Sequence, residues 1–307
     1  KPLPSNSSMA LSIWEFLLYN LLYSRSALLI HRLDSLRCSL SSQRFPSLQS
    51  MRENTISSFE ILYESDRVLA ICKPEGISYH DDDQIGTGIL SLLRKHQSDG
   101  RITYSGRLYG VHRLDQVTSG ILLMAKDSTT AGELSAQFRE GKVTKYYCGL
   151  SAKKPSTKKQ GWIQGNMVKS RRKSWMLTPY SKELNKENYA RTRFFSSSLS
   201  FLQDQLEDPE RIHPRTLLLF RPYTGRTHQL RVAAKSVGLP LLGDPVYKDG
   251  TPLSTEGIHT ARTFLHACGL HLMLNDEPIC IWSPPPFESV WDSTGTHQFK
   301  QVFRTLC

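Results

Sequence analysis

Short β-type segments outnumber helical ones along this chain. They follow one another without the helical crossovers that a parallel sheet demands. Residues 60–64 and 68–72 flank an Asp66-Arg67 turn and read as two strands. Residues 121–126, 143–150, 188–195, 216–221 and 264–274 read as further strands. Helical spacing is confined to residues 86–96, 129–140, 226–237 and a terminal 290–303. Ser128 is the expected cap of the second helix and Gly141 its stop, and Gly238 ends the third. This balance predicts an α+β fold around a mixed, mostly antiparallel sheet flanked by helices and loops. No internal repeat is present, and no apolar run reaches the roughly 20 residues of a membrane span.

Charge is unevenly distributed. The chain carries 39 Lys and Arg against 28 Asp and Glu, a net +11. Between Gly141 and Lys182 stand eleven of those bases and no acid, so the remainder holds 28 bases against 28 acids. Tyr146, Tyr147, Trp162, Trp175 and Tyr180 are interleaved with the basic residues. Cations neutralise phosphates and rings stack on unpaired bases, so nucleic acid is the expected partner, with Lys153, Lys154, Lys158 and Lys159 as candidate contacts. A solvated basic face is the plainer reading of the same run.

Residues 1–57 differ from the rest, with thirteen serines, six bases and three acids. Such a composition fits an organelle transit peptide, to chloroplast or mitochondrion, or an ordinary N-terminal extension; without a leader the expected compartment is cytoplasm or nucleus. Residues 58–307 are expected to form one catalytic domain, as a monomer. The six cysteines are scattered, with no CxxC pair, and read as reduced core thiols. No HExxH or His/Cys cluster is present, so no metal site is expected. Asp81-Asp82-Asp83 reads as a solvated loop, with a divalent cation as the alternative.

Three constellations carry chemistry. His112-Arg113-Leu114-Asp115-x-x-Thr118-Ser119-Gly120 sets one carboxylate on a polar loop that runs into an apolar strand. Lys145-Tyr146-Tyr147 lies on the strand after the second helix. Thr224-Gly-Arg226-Thr-His228-Gln-Leu-Arg231-Val232 is followed by Gly238-Leu-Pro-Leu-Leu-Gly-Asp244-Pro-Val-Tyr247. An HRLD echo at residues 31–34 lacks the Thr-Ser-Gly and the strand behind it, and reads as coincidence.

With these motifs, in this order, residues 58–286 resemble the RluA-type pseudouridine synthases. Lys73-Pro74-x-Gly76 and Phe264-Leu265-His266-Ala267 belong to the same resemblance. It implies the pseudouridine synthase fold and a cofactor-free isomerisation of uridine in ribosomal or transfer RNA. The N-glycosidic bond breaks, the uracil turns, and C5 joins the ribose. The resemblance makes Asp115 the catalytic carboxylate, as nucleophile or as base. Tyr147 is the ring against the target base, Arg226 the partner of Asp115, and Arg113 the side chain that fills the space of the extruded nucleotide. Leu265 is either an apolar contact beneath the base or ordinary core. Arg231 and His228 are expected to serve backbone or packing. Residues 1–57 are too short and Ser-rich for the S4-like RNA-binding module of many relatives, which leaves the RNA target open.

Two other classes fit the same motifs: a catalytically silent RNA-binding protein on this fold, and a hydrolase releasing free base. A single carboxylate argues against the second, since glycoside hydrolysis uses a pair.

Overall fold

The computed structural model describes residues 59–81, 87–155, 159–170, 174–178, 187–199, 215–247 and 262–287. All of them belong to one compact unit within Phe59–Leu306. The expectations for residues 1–57, for Asp82 and Asp83, for Lys158, Tyr180 and for a helix at 290–303 lie outside these residues.

The strands are β1 (Glu60–Glu64), β2 (Val68–Lys73), β3 (Tyr109–Gly110), β4 (Ser119–Ala125), β5 (Thr144–Ser151), β6 (Gln160–Lys169), β7 (Trp175–Thr178), β8 (Tyr189–Ser198), β9 (Thr216–Pro222), β10 (Leu265–Leu274) and β11 (Glu277–Trp282). The helices are α1 (Ile89–Ser98), α2 (Ser128–Glu140) and α3 (Gln229–Ser236). Among the described residues the strands form one sheet in the order β1-β2-β4-β10-β5-β9-β8-β6-β7, with β3 on β4 and β11 on β10. Every pairing is antiparallel except β4 with β10. The predicted mixed, mostly antiparallel α+β architecture is what the chain adopts.

Local chemistry explains the element ends. The cap of α2 is Asp127 rather than Ser128: its carboxylate accepts from Thr130 N at 2.8 Å, satisfying a free N–H of the first turn. Gly141 closes the helix in the left-handed region at φ 72°, where a Cβ is unfavourable. Helix α3 begins three residues later than its spacing suggests. His228 stands at φ 57° and breaks the helical run before Gln229.

Strand β10 is the hinge of the topology. One edge pairs β5 from Leu265 to His271. Its other edge is divided, pairing β4 at His266 and Ala267 and β11 from Gly269 onward. At the parallel junction Gly120 has φ 109°, and a Cβ there would lie 2.3 Å from Ala267 O. Only glycine lets the two backbones approach this closely. Beside it, Ser119 Oγ meets His266 Nδ1 at 2.9 Å, and His266 Nε2 meets Ser283 Oγ at 3.1 Å. The Ser-Gly of the first motif therefore welds β4 to β10.

Apolar side chains fill the layers on either side. Ile121, Leu123, Leu270, Leu272 and Ile279 pack with Leu134 of α2. Leu69, Ile71, Leu122 and Met124 pack with Leu92 and Leu93 of α1. Phe194, Leu218, Phe220 and Leu265 pack with Ala233 and Ala234 of α3.

Candidate active site

The loop before β4 alternates anchors with presented groups. His112 Nε2 accepts from Leu123 N at 3.0 Å, and its ring stacks on Phe138 at 4.6 Å. Burial lowers this imidazole to about 3, with Lys145 adding to the effect, so it stays neutral. Leu114 is buried, whereas Arg113 is exposed. Asp115 closes a turn by accepting Thr118 N at its carbonyl, 3.0 Å away. Its side chain stays 21% exposed, open to a substrate.

Lys73 holds that loop from beneath. The side chain is fully buried, and its ammonium donates to the carbonyls of Pro74, Ile77 and Gln116 at 2.7, 3.0 and 3.3 Å. Gly76 N adds a bond to Gln116 O at 2.9 Å. Desolvation pulls Lys73 down to about 8, against the opposing charges of Glu75 and Asp115. The Lys-Pro-x-Gly turn and the Asp115 loop are thus pinned together by one cation.

Helix α3 supplies the opposite wall. Arg231 is 4% exposed, and its Nη1 stands 3.7 Å from Asp115 Oδ2. Its Nε and Nη2 bond Asp244 Oδ2 and Oδ1 at 2.7 and 2.8 Å. Burial works against charge on both partners, but their mutual hydrogen bonds outweigh it: Arg231 is raised and Asp244 lowered. Asp244 Oδ1 also accepts Val246 N and Tyr247 N, each at 2.9 Å. Tyr247 Oη meets His228 Nδ1 at 2.9 Å. Burial lowers His228 while Asp115 pulls the other way, and Arg113 adds a small repulsion, which sets both charges near this imidazole.

Tyr147 projects from β5 onto the same region. It packs against the cluster that contains Leu265. Burial pushes its phenol well above the ordinary tyrosine range, and the Asp115 charge adds to the push. Asp115 is thus flanked by a guanidinium at 3.7 Å and acts electrostatically on the Tyr147 phenol.

The guanidinium is not the expected one. Arg226 lies in the turn before α3, where its Nε donates to Tyr189 O at 3.0 Å and its N–H to Gln229 Oε1 at 2.9 Å. The ion-pair partner of Asp115 is Arg231, because α3 starts at Gln229 and turns position 231 inward. Asp244 and Tyr247 belong to the third motif, but residue spacing does not reveal that Asp244 bonds Arg231 or that the Tyr247 ring lies 5.0 Å from it. Leu265 is 2% exposed, a core leucine under Tyr147. Lys153, Lys154 and Lys159 are exposed on the connection between β5 and β6. Asp81 accepts Gly88 N at 2.7 Å and Ser91 Oγ at 2.6 Å, a loop-to-helix tie. No His/Cys/Asp/Glu cluster suited to a metal occurs among the described residues.

Comparison with known proteins gives one answer. The family described as RNA pseudouridylate synthase matches residues 67–236. A Haemophilus influenzae protein described as an uncharacterized RNA pseudouridine synthase is 37% identical over 246 residues, covering 80% of this chain and 96% of that protein. A Rickettsia conorii protein named ribosomal large subunit pseudouridine synthase C is 33% identical over 210 residues, 67% of this chain; the chain spans 61% of that relative's length. Among solved structures, human RNA pseudouridylate synthase domain containing 1 superposes with TM-score 0.61 at 23% identity, covering 81% of this chain and 96% of that one.

Proposed function

The chain belongs to the RNA pseudouridylate synthase family, of the RluA type, and on that premise we propose that it isomerises specific uridines of ribosomal RNA with Asp115 as the catalytic carboxylate. The observation that carries this reading is the Asp115–Arg231 pair at 3.7 Å, set where Tyr147 feels the same carboxylate charge. A guanidinium held by Asp244 can orient a neighbouring carboxylate without capturing it in a tight bond.

In this proposal Asp115 acts on the ribose or on the base, and no water needs activating. The bond between N1 and the ribose C1′ opens, the uracil turns against Tyr147, and C5 bonds to C1′; C5 gives up its proton and N1 takes one up, so the product is an isomer of the substrate. The buried phenol stays protonated through the working pH range, so it offers a ring face and a neutral hydroxyl rather than a base. In this reading Arg113, exposed two residues before Asp115, enters the stack when the nucleotide leaves it. Ribosomal RNA is favoured over transfer RNA by the names of the Rickettsia relatives.

The test is tritium release from RNA carrying uridine labelled at C5. Asp115→Asn is expected to abolish release while the thermal unfolding curve stays close to that of the parent. Normal turnover by the variant would remove Asp115 from the chemistry. Free uracil in the products would favour a hydrolase, and RNA binding by the parent without any release a silent binding protein.

A further inference from the structure

Strands β5, β9, β8 and β6 carry a second set of functional groups on the face turned away from Tyr147. Trp162 of β6 lies opposite Arg193 of β8, and Arg193 lies opposite Arg221 of β9. The Arg221 guanidinium then stands 5.9 Å from the ring of Tyr146 on β5. The alternate residues Phe194 and Phe220 point the other way, into the core beneath α3. Arg191 joins the ladder, 4.0 Å from the Trp162 ring and 5.5 Å from that of Tyr223. Arg221 approaches Tyr223 at 5.0 Å, and Tyr223 is 38% exposed.

Arg193 directly opposite Arg221 is an unfavourable pairing in a sheet. Among the described residues, no carboxylate forms an ion pair with Arg191, Arg193 or Arg221. Arg191 Nε is buried without a hydrogen-bond partner. The aromatic faces hold the guanidinium planes and leave their N–H edges for an anion. Three guanidiniums interleaved with rings, none paired with a carboxylate among the described residues, match a chain of phosphates and bases.

We propose that the face built from Trp162, Arg191, Arg193, Arg221, Tyr146 and Tyr223 binds single-stranded RNA flanking the modified nucleotide, on the side of the sheet opposite Asp115. The arginines take phosphates and Tyr223 stacks on a base. This rests on the RNA substrate proposed above. It adds a contact surface built mostly from strands outside the acid-free segment, since Arg191, Arg193, Arg221 and Tyr223 all follow Lys182.

The experiment measures binding of a labelled single-stranded oligouridylate of about 20 nucleotides across a potassium chloride series, using the full chain. Combined Arg191→Gln, Arg193→Gln and Arg221→Gln is expected to weaken binding by about tenfold or more and to make the log–log salt slope shallower by about 2. Tyr223→Ala is expected to weaken binding by about tenfold with the slope unchanged. Should the triple variant fail to fold, Arg221→Gln alone serves, with a slope change of about 0.7. Parent-like affinity and slope in a folded arginine variant would overturn the proposal. So would loss of binding to phosphatidylglycerol vesicles with RNA binding intact, which would make the face a membrane contact. Tritium release by the parent is measured in parallel. Its presence with unchanged binding in the variants removes only this surface, and its absence with variant-sensitive binding removes only the isomerase reading.

Discussion

Arg231 grips Asp244 through two parallel hydrogen bonds of 2.7 and 2.8 Å, and this fork aims its third nitrogen at Asp115. The plane of the guanidinium is fixed by a residue that lies too deep to meet substrate, since Asp244 is 2% exposed. Asp244 positions Arg231, and Arg231 in turn orients Asp115.

Breaking that fork has a cost in both stability and rate. Asp244→Asn leaves a buried cation without its counter-charge and is expected to destabilise by about 3–5 kcal/mol in urea unfolding. Conversion of uridine is expected to fall about a hundredfold. Arg231→Lys retains the charge and loses the planar fork. Its conversion is expected to fall by at least about tenfold, with a smaller stability loss. Parent-like conversion by Arg231→Lys would show that orientation is unimportant.

Gly120→Ala tests the weld between β4 and β10. The added methyl meets the Ala267 backbone at 2.3 Å, and φ of 109° is hostile to any L side chain. The expected loss is about 3 kcal/mol or more, with conversion falling further than the residual folded fraction explains. Calorimetry beside an activity assay decides it. An unaltered melting temperature would mean the strands can part without consequence.

Two desolvated imidazoles set the acid limit. Burial lowers both His112 and His266 to about 3, against 6.5 when exposed. The unfolded chain therefore binds more protons than the native one between those values. Stability is complete above pH 6.5 and is lost as pH falls toward 3, by on the order of a few kcal/mol per histidine. Urea titrations across that window are expected to show the slope. His266→Gln should flatten it by about one proton, and an identical slope in the variant would acquit this ring.

Much of the fold is legible in the strand pattern, because each buried strand is apolar enough to stand out between turn residues. Strand β11 is not, since Glu277-Pro-Ile-Cys-Ile-Trp282 becomes a strand only by pairing with β10. The carboxylate and the tyrosine are readable because their motifs fix them in order along the chain. The choice between Arg226 and Arg231 is not readable in the same way. It turns on one backbone torsion at His228, which shifts the helix start and decides which arginine faces inward. The role of Lys73 is likewise hidden, since three carbonyl partners from two loops leave no trace in residue spacing.

Strand β10 runs through the middle of the site. Lys73 ends β2 and Asp115 precedes β4 on one bank of β10, while Tyr147 lies on β5 and Arg231 and Asp244 follow β9 on the other. Neither bank alone owns a reaction. On the proposed roles, a nascent or damaged molecule in which the banks have not yet joined is expected to be inactive, so activity waits on the finished sheet.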